Sequence, residues 1–122
     1  MKKILIIGAG AMGAAFTVPC LDNKHHVTLS EPYNFELVKK LSSRNKLHPS
    51  LKLNLSKKLK IKIFSSELLR KKWDLIVIAV SSIGIDLIRE NLKNLKFNTR
   101  ILILTKGLKF EKSSKKIITM SE

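Results

Sequence analysis

The sequence predicts a doubly wound α/β domain: a parallel sheet with helices on both faces. Three observations carry this expectation. The apolar runs Ile4 to Ile7, Leu75 to Val80 and Ile101 to Leu104 lack the polar alternation of a one-sided sheet, so each reads as a strand buried on both faces. Segments of helical period alternate with these runs. A glycine cluster, Gly8 to Gly13, ends the first run and opens the first helix.

Taken in order, Ile4 to Ile7 is the first strand and Ala11 to Asp22 the first helix, with Pro19 a local disturbance. Asn23 to His25 is a turn, and His26 to Ser30 is a second strand closed by Glu31-Pro32. Phe35 to Leu41 has helical spacing at Phe35, Leu37, Val38 and Leu41. Ser42 to Lys60 is the least regular stretch, read as a loop with at most one short strand near Leu51, Leu53 and Leu55. Lys60 to Phe64 alternates Ile with Lys, as a half-buried edge strand does. Ser65-Ser66-Glu67 is expected to cap a short helix running to Lys72. Asp74 to Val80 is the strongest strand signal, followed by a helix over Ser82 to Leu95 with Ile85, Ile88, Leu92 and Leu95 on one face. Arg100 to Thr105 is a further strand, ended by Lys106-Gly107, and Ser113 to Glu122 is expected to begin a last helix.

The chain has 122 residues, enough for one domain with its own core. A single cysteine, Cys20, excludes an internal disulfide framework and any multi-cysteine zinc site. Its place in the first helix favours packing over nucleophilic chemistry. His25, His26 and His48 show no metal-ligand spacing, so no metal site is expected. No apolar run approaches the roughly 20 residues of a membrane span, and the short N-terminal run does not fit a signal peptide, which leaves a cytoplasmic protein as the expectation. The formal net charge is +15. The basic residues are mostly lysines spread along the chain, and one Trp, one Tyr and five Phe offer no stacking platform. Both facts weigh against nucleic acid as the main partner. A positive field does help to collect an anionic cofactor or substrate.

Gly8-Ala9-Gly10-Ala11-Met12-Gly13 is a G-x-G-x-x-G between a strand and a helix, the setting in which the pattern binds dinucleotides. Gly8 would make the tight turn, Gly10 would admit a pyrophosphate to the backbone, and Gly13 would let the helix pack on the strand. The helix N-terminus would offer N–H groups and the positive end of its dipole to the phosphates. A bare strand-to-helix turn without ligand is the alternative. An acidic residue about 20 residues further on is expected to bind the ribose hydroxyls of NAD. Glu31 stands near that distance, just past the second strand, and its charge would repel the 2′-phosphate of NADP. That favours NAD over NADP, unless Glu31 is only a loop glutamate beside Pro32.

These residues, with Val18-Pro19-Cys20-Leu21-Asp22-Asn23 after them, resemble the start of NAD(P)-dependent glycerol-3-phosphate dehydrogenase, in the branch with a proline in the first helix. His48-Pro49-Ser50-Leu51-Lys52-Leu53-Asn54 resembles the family's loop between second helix and third strand. Asp74 through Ser82 resembles its fourth strand, and Leu104-Thr105-Lys106-Gly107-Leu108 its Lys-Gly-Leu signature. The resemblance covers nearly the whole chain, and the Lys-Gly-Leu at this distance from the glycines is its most selective part. It implies a Rossmann domain over residues 1–122, incomplete at its C-terminal side. It implies NAD or NADP held by Gly8, Gly10, Ala11, Met12, Gly13, Glu31, Ser81 and Lys106. Lys106 would also face the substrate, dihydroxyacetone phosphate or glycerol 3-phosphate, unless it is a solvated strand-end lysine. Ser81 and Ser82 would either bond the cofactor or cap the next helix. The family's catalytic groups belong to a helical C-terminal domain, so no catalytic residue is expected here, and the full-length form is expected to be a homodimer. A fragment of a β-hydroxyacid or ketopantoate-type reductase and a non-catalytic dinucleotide-binding module are the competing readings.

Overall fold

A computed structural model of the chain describes residues 2–43, 46–49, 51–80, 88, 92–93, 99–104 and 117–119. Strand β1 (Lys3–Ile7) leads through the glycine cluster into helix α1 (Ala11–Asp22) and back to β2 (His26–Glu31) and α2 (Phe35–Leu41). A two-residue hairpin, β3 (Leu47–His48) and β4 (Leu53–Asn54), precedes β5 (Lys60–Ile63) and a 3₁₀ helix, Ser66–Arg70. Strands β6 (Leu75–Ile78), β7 (Arg100–Ile103) and β8 (Ile117–Thr119) follow. The main sheet has the order β5-β2-β1-β6-β7-β8, and each neighbouring pair is parallel. The order reverses direction between β1 and β6, and the glycine cluster leaves the sheet at the carboxyl end of β1. In a doubly wound sheet, that is where a crevice opens for ligands.

Strand alternation divides the core into two layers, because successive side chains point to opposite faces. Ile4, Ile6, Val27, Leu29, Val77 and Leu102 pack on one face with Ala14 and Cys20 of α1 and Leu37 and Leu41 of α2. Leu5, Ile7, Ile76, Ile78, Ile101 and Ile103 pack on the other with Leu68, Leu69, Trp73, Ile88 and Leu92. Leu5, Ile6, Ile7, Ile76 and Ile78 are fully buried. Each such side chain contributes about 1.5–3 kcal/mol by leaving water. This two-sided burial explains the unbroken apolar runs.

Helix α1 continues through Pro19 to Asp22, with the Asn23 N–H donating to the Pro19 carbonyl at 3.1 Å. Helix α2 is capped by Asn34, whose Oδ1 accepts from the Leu37 N–H at 3.0 Å. Asp74 fastens the amino ends of β1 and β6: its Oδ2 accepts from the Lys3 N–H at 2.8 Å while its own N–H donates to the Lys3 carbonyl at 2.8 Å.

Several sequence expectations change. Ile117–Thr119 is a strand paired with β7, not part of a helix over Ser113 to Glu122. Ile-Ile-Thr is a β-branched run, and an apolar pattern this short cannot separate a period of 3.6 from one of 2. The helix expected after Ser65 is one 3₁₀ segment, Ser66–Arg70, and the Ser65 side chain makes no capping bond. The stretch read as irregular, Ser42 to Lys60, contains the β3–β4 hairpin and places Leu55 and Leu59 in the core. Strand β5 does stand at the sheet edge, with Ile63 half exposed at 53%. Of the helix expected over Ser82 to Leu95, Ile88 and Leu92 are described as helical and buried.

At the amino ends of the strands lies a trough of about 1100 Å³. Lys3, Lys60 and Lys62 line it from the sheet, and Lys24, Lys58, Lys71 and Lys72 from the connecting segments. Among the described residues that line it there is no carboxylate. Its sheet wall is polar because β2 and β5 turn Thr28 against Lys60 on this side, in matched register.

Candidate functional site: the glycine turn

The turn after β1 is tied down on both sides. The Gly8 N–H donates to the Ser30 carbonyl at 2.7 Å, and the Ala79 N–H donates to the Ile7 carbonyl at 2.8 Å. The turn therefore hangs from the carboxyl ends of β2 and β6 together. Gly8 has φ +112°, a backbone region that side chains rarely tolerate. A Cβ there would also lie 2.7 Å from the Ala79 carbonyl group. A Cβ on Gly13 would overlap the Gly8 carbonyl oxygen. These two glycines thus let α1 press onto the end of β1.

Gly10 differs from both. It is the N-cap of α1, with φ −65° and ψ −172°, and among the described residues a Cβ on it would meet nothing within 4 Å. Packing among the described residues does not require glycine at this position. No described residue fills the space in front of it, and Gly10, Ala11 and Met12 are exposed along its lip, Met12 at 52%. No side chain caps α1 and no acidic residue stands in its first turn. The first-turn N–H groups have no intrahelical acceptor. The result is a cradle of backbone donors and helix-dipole charge with one unfilled side, a fit for a pyrophosphate.

Glu31 is 6% exposed and does not project from the end of β2. Its Oε1 accepts from the Ala9 N–H at 2.6 Å, and its Oε2 accepts from the Tyr33 and Asn34 N–H groups at 3.0 Å each. The carboxylate expected to meet a ribose is thus occupied by three backbone donors. Burial, and after it the Glu31 charge, pushes the Tyr33 phenol above its ordinary value.

His48 is the residue that sequence reasoning missed. It is 1% exposed, on β3, and its Nε2 lies 2.8 Å from the Ala9 carbonyl. Its Nδ1 accepts from the Leu51 N–H at 3.3 Å. A carbonyl only accepts and an N–H only donates, so the neutral tautomer with its proton on Nε2 serves both. Nothing local in the sequence pointed to this role, since the contact spans 39 residues.

Ser81 and Lys106 lie outside the described residues, as does Ser82. Cys20 is buried, and burial pushes its thiol above the ordinary value, away from thiolate chemistry. Among the described residues no three His, Cys, Asp or Glu groups are placed to hold a metal, and no helix is long and apolar enough to cross a membrane.

A family model described as NAD-dependent glycerol-3-phosphate dehydrogenase N-terminus matches residues 3–121. The chain is 29% identical over 109 residues to the NADP(+)-dependent glycerol-3-phosphate dehydrogenase of Archaeoglobus fulgidus, covering 86% of this chain and 31% of that protein. The structure is similar to that of glycerol-3-phosphate dehydrogenase from Coxiella burnetii, with a TM-score of 0.71, 24% identity and coverage of 88% of this chain and 33% of the other. It is also similar to 2-dehydropantoate 2-reductase from Methylococcus capsulatus, with a TM-score of 0.62, 16% identity and coverage of 89% and 35%. At these identities the two structures speak to the fold. The chain spans about a third of the length of these relatives.

Proposed function

Since the chain belongs to the NAD-dependent glycerol-3-phosphate dehydrogenase N-terminal family, we propose that it holds the nicotinamide dinucleotide of an enzyme interconverting sn-glycerol 3-phosphate and dihydroxyacetone phosphate. The observation that carries this reading is the open side of Gly10 at the uncapped start of α1. Gly8 and Gly13 are explained by packing against described residues, whereas no described residue would meet a Cβ on Gly10, which leaves that side to a ligand. In this reading the backbone of Gly10, Ala11, Met12 and Gly13 receives the pyrophosphate. When bound, the dinucleotide supplies or accepts the hydride.

The chain's own groups bind and orient. The Gly8 turn fixes the start of α1 against β6, so the cradle keeps its shape as the ligand arrives, and preorganisation lowers the cost of binding. Ser81, past the end of β6, is assigned to the cofactor. Lys106, past the end of β7, is assigned to both cofactor and substrate. An ammonium at that end of the sheet can attract the substrate phosphate or polarise its carbonyl. Both NAD and NADP remain candidates: the family's description carries the first name and the archaeal relative's the second. We further propose that the full-length form works in the cytoplasm as a homodimer.

Holding a cofactor is not turnover. Rate comes from groups that meet the transition state, and near-attack placement of two reactants needs more than one lysine. Residues 1–122 alone are therefore expected to bind dinucleotide without reducing dihydroxyacetone phosphate. Calorimetric titration of the chain with NADH and NADPH, paired with a turnover assay on dihydroxyacetone phosphate and on 2-dehydropantoate, tests this. Binding without turnover supports the reading. Failure to bind either dinucleotide overturns it, and robust turnover by this chain overturns the placement of the catalytic groups. Turnover of 2-dehydropantoate alone would favour the reductase whose fold it shares.

A further inference from the structure

Ala9 sits between the two glycines that matter most, and both of its backbone polar groups are taken by buried side chains from distant parts of the chain. The Ala9 N–H donates to Glu31 Oε1 at 2.6 Å, and the Ala9 carbonyl accepts from His48 Nε2 at 2.8 Å. Ala9 is 1% exposed, His48 1% and Glu31 6%. We propose that Glu31 and His48 are positioning residues that grip Ala9 from both sides and set the glycine cradle. Glu31 then acts on dinucleotide binding through the loop, does not ligate the ribose, and does not choose between NAD and NADP. This rests on the dinucleotide-binding reading above.

The geometry supports each half. A trans peptide is planar, and its C=O and N–H point in opposite directions. By holding the Ala9 carbonyl, His48 fixes the plane that carries the Gly10 N–H, at the residue whose open side forms the cradle. His48 is itself held by the Leu51 N–H on Nδ1, so the β3–β4 hairpin, not α1, dictates the direction of this peptide. Glu31 meets Ala9 from the other side, and the Tyr33 and Asn34 N–H groups hold its second oxygen. A buried carboxylate is tolerated only when its oxygens are hydrogen-bonded, and charge-assisted bonds of this kind are the stronger ones. Three of the roughly four acceptor sites of the carboxylate are taken, so a ribose diol gripped by both oxygens would have to displace a backbone donor from Oε2. Asn34 also caps α2, so that exchange would disturb the start of a helix as well.

The test compares Kd for NADH and for NADPH in the 122-residue chain and in Glu31→Ser, His48→Phe and His48→Gln. Glu31→Ser and His48→Phe should each weaken both dinucleotides about tenfold, by the same factor for each, since the loss is of a loop geometry they share. His48→Gln should recover most of the affinity, because its amide can donate to Ala9 and accept from Leu51. A Glu31→Ser variant that shifts the NADPH-to-NADH ratio tenfold or more would make Glu31 a ribose ligand and overturn the proposal, as would unaltered binding in His48→Phe. Amide NMR keeps the question open to decision if a variant folds poorly or if the wild type binds neither dinucleotide. In the ligand-free chain, Glu31→Gln should move the Ala9 amide and His48→Gln the Gly10 amide, while the Trp73 indole signal stays in place. Ala9 and Gly10 amides that ignore both changes refute the grip; failure of dinucleotide binding alone refutes the functional reading and leaves the grip standing.

Discussion

The two ends of the parallel sheet solve opposite problems. At the amino ends, seven lysines and no carboxylate are among the described residues that line a trough. At the carboxyl ends, the glycine turn presents backbone N–H groups on a loop held by hydrogen bonds at 2.6–2.8 Å. The net charge of +15 would direct attention to the first end. The chemistry of the fold directs it to the second. Anion recognition at a helix start depends on where fixed dipoles point, whereas exposed ammonium groups are screened within a Debye length of about 10 Å at 0.1 M salt. Density of charge and precision of donors are different resources, and in this chain they lie at opposite ends of the same strands.

The largest effects are expected at the glycines that hold the turn. Gly13→Ala places a methyl group against the Gly8 carbonyl oxygen, and Gly8→Ala forces a side chain into φ +112° against Ala79. Each should cost about 3 kcal/mol in urea denaturation. Gly10→Val should cost no more than about 1 kcal/mol by the same measurement, since no described residue lies within 4 Å of its Cβ position. Loss of stability as large at Gly10 as at Gly13 would mean that the open side is not open.

At the amino end, the sharper probe is Asp74. Its carboxyl is held below the ordinary carboxylate range, chiefly by the Lys3 backbone N–H and then by the charges of Lys2, Lys72 and Lys3. A carboxyl depressed in the folded state adds stability above its unfolded pKa of about 3.9 and loses it as pH falls through the lower folded value. Asp74→Asn should therefore be less stable than wild type at pH 7, and the gap should close on acidification below pH 4. A gap that is constant with pH would assign the effect to packing.

The smallest expected effect belongs to the trough itself. Lys60→Thr relieves like-charge repulsion and should raise stability by about 0.3 kcal/mol at low salt, fading to nothing near 1 M salt. A gain that persists in salt would come from β propensity at position 60, not from charge.

What the sequence disclosed follows the same division. Elements buried on both faces, β1, β6 and β7, were legible because two-sided burial leaves an uninterrupted apolar run. The glycine turn was legible because positive φ at Gly8, and close packing at Gly8 and Gly13, admit no other residue. The 3₁₀ segment after Ser65 and the strand at Ile117–Thr119 were misread, because short segments carry too few periods to announce their type. The β3–β4 hairpin escaped because each arm is two residues long. Glu31 was found by its distance from the glycines, but its three backbone donors could not be. The role of His48 is not legible in the sequence, since the partner that gives it meaning is Ala9, brought near by the fold across 39 residues.

In the proposed function the carboxyl-end cradle, and not the basic trough, holds the dinucleotide. Calorimetric titration of NADPH into Gly10→Val and into the double variant Lys60→Thr, Lys62→Thr, at 0.15 M salt, tests it directly. Gly10→Val should lose at least ~100-fold in affinity, the scale of a steric block of about 3 kcal/mol. The double lysine variant should stay within about twofold of wild type, since screened charges far from the cradle contribute little. Retained binding in Gly10→Val together with lost binding in the lysine variant would contradict the account and move the site to the other end of the sheet.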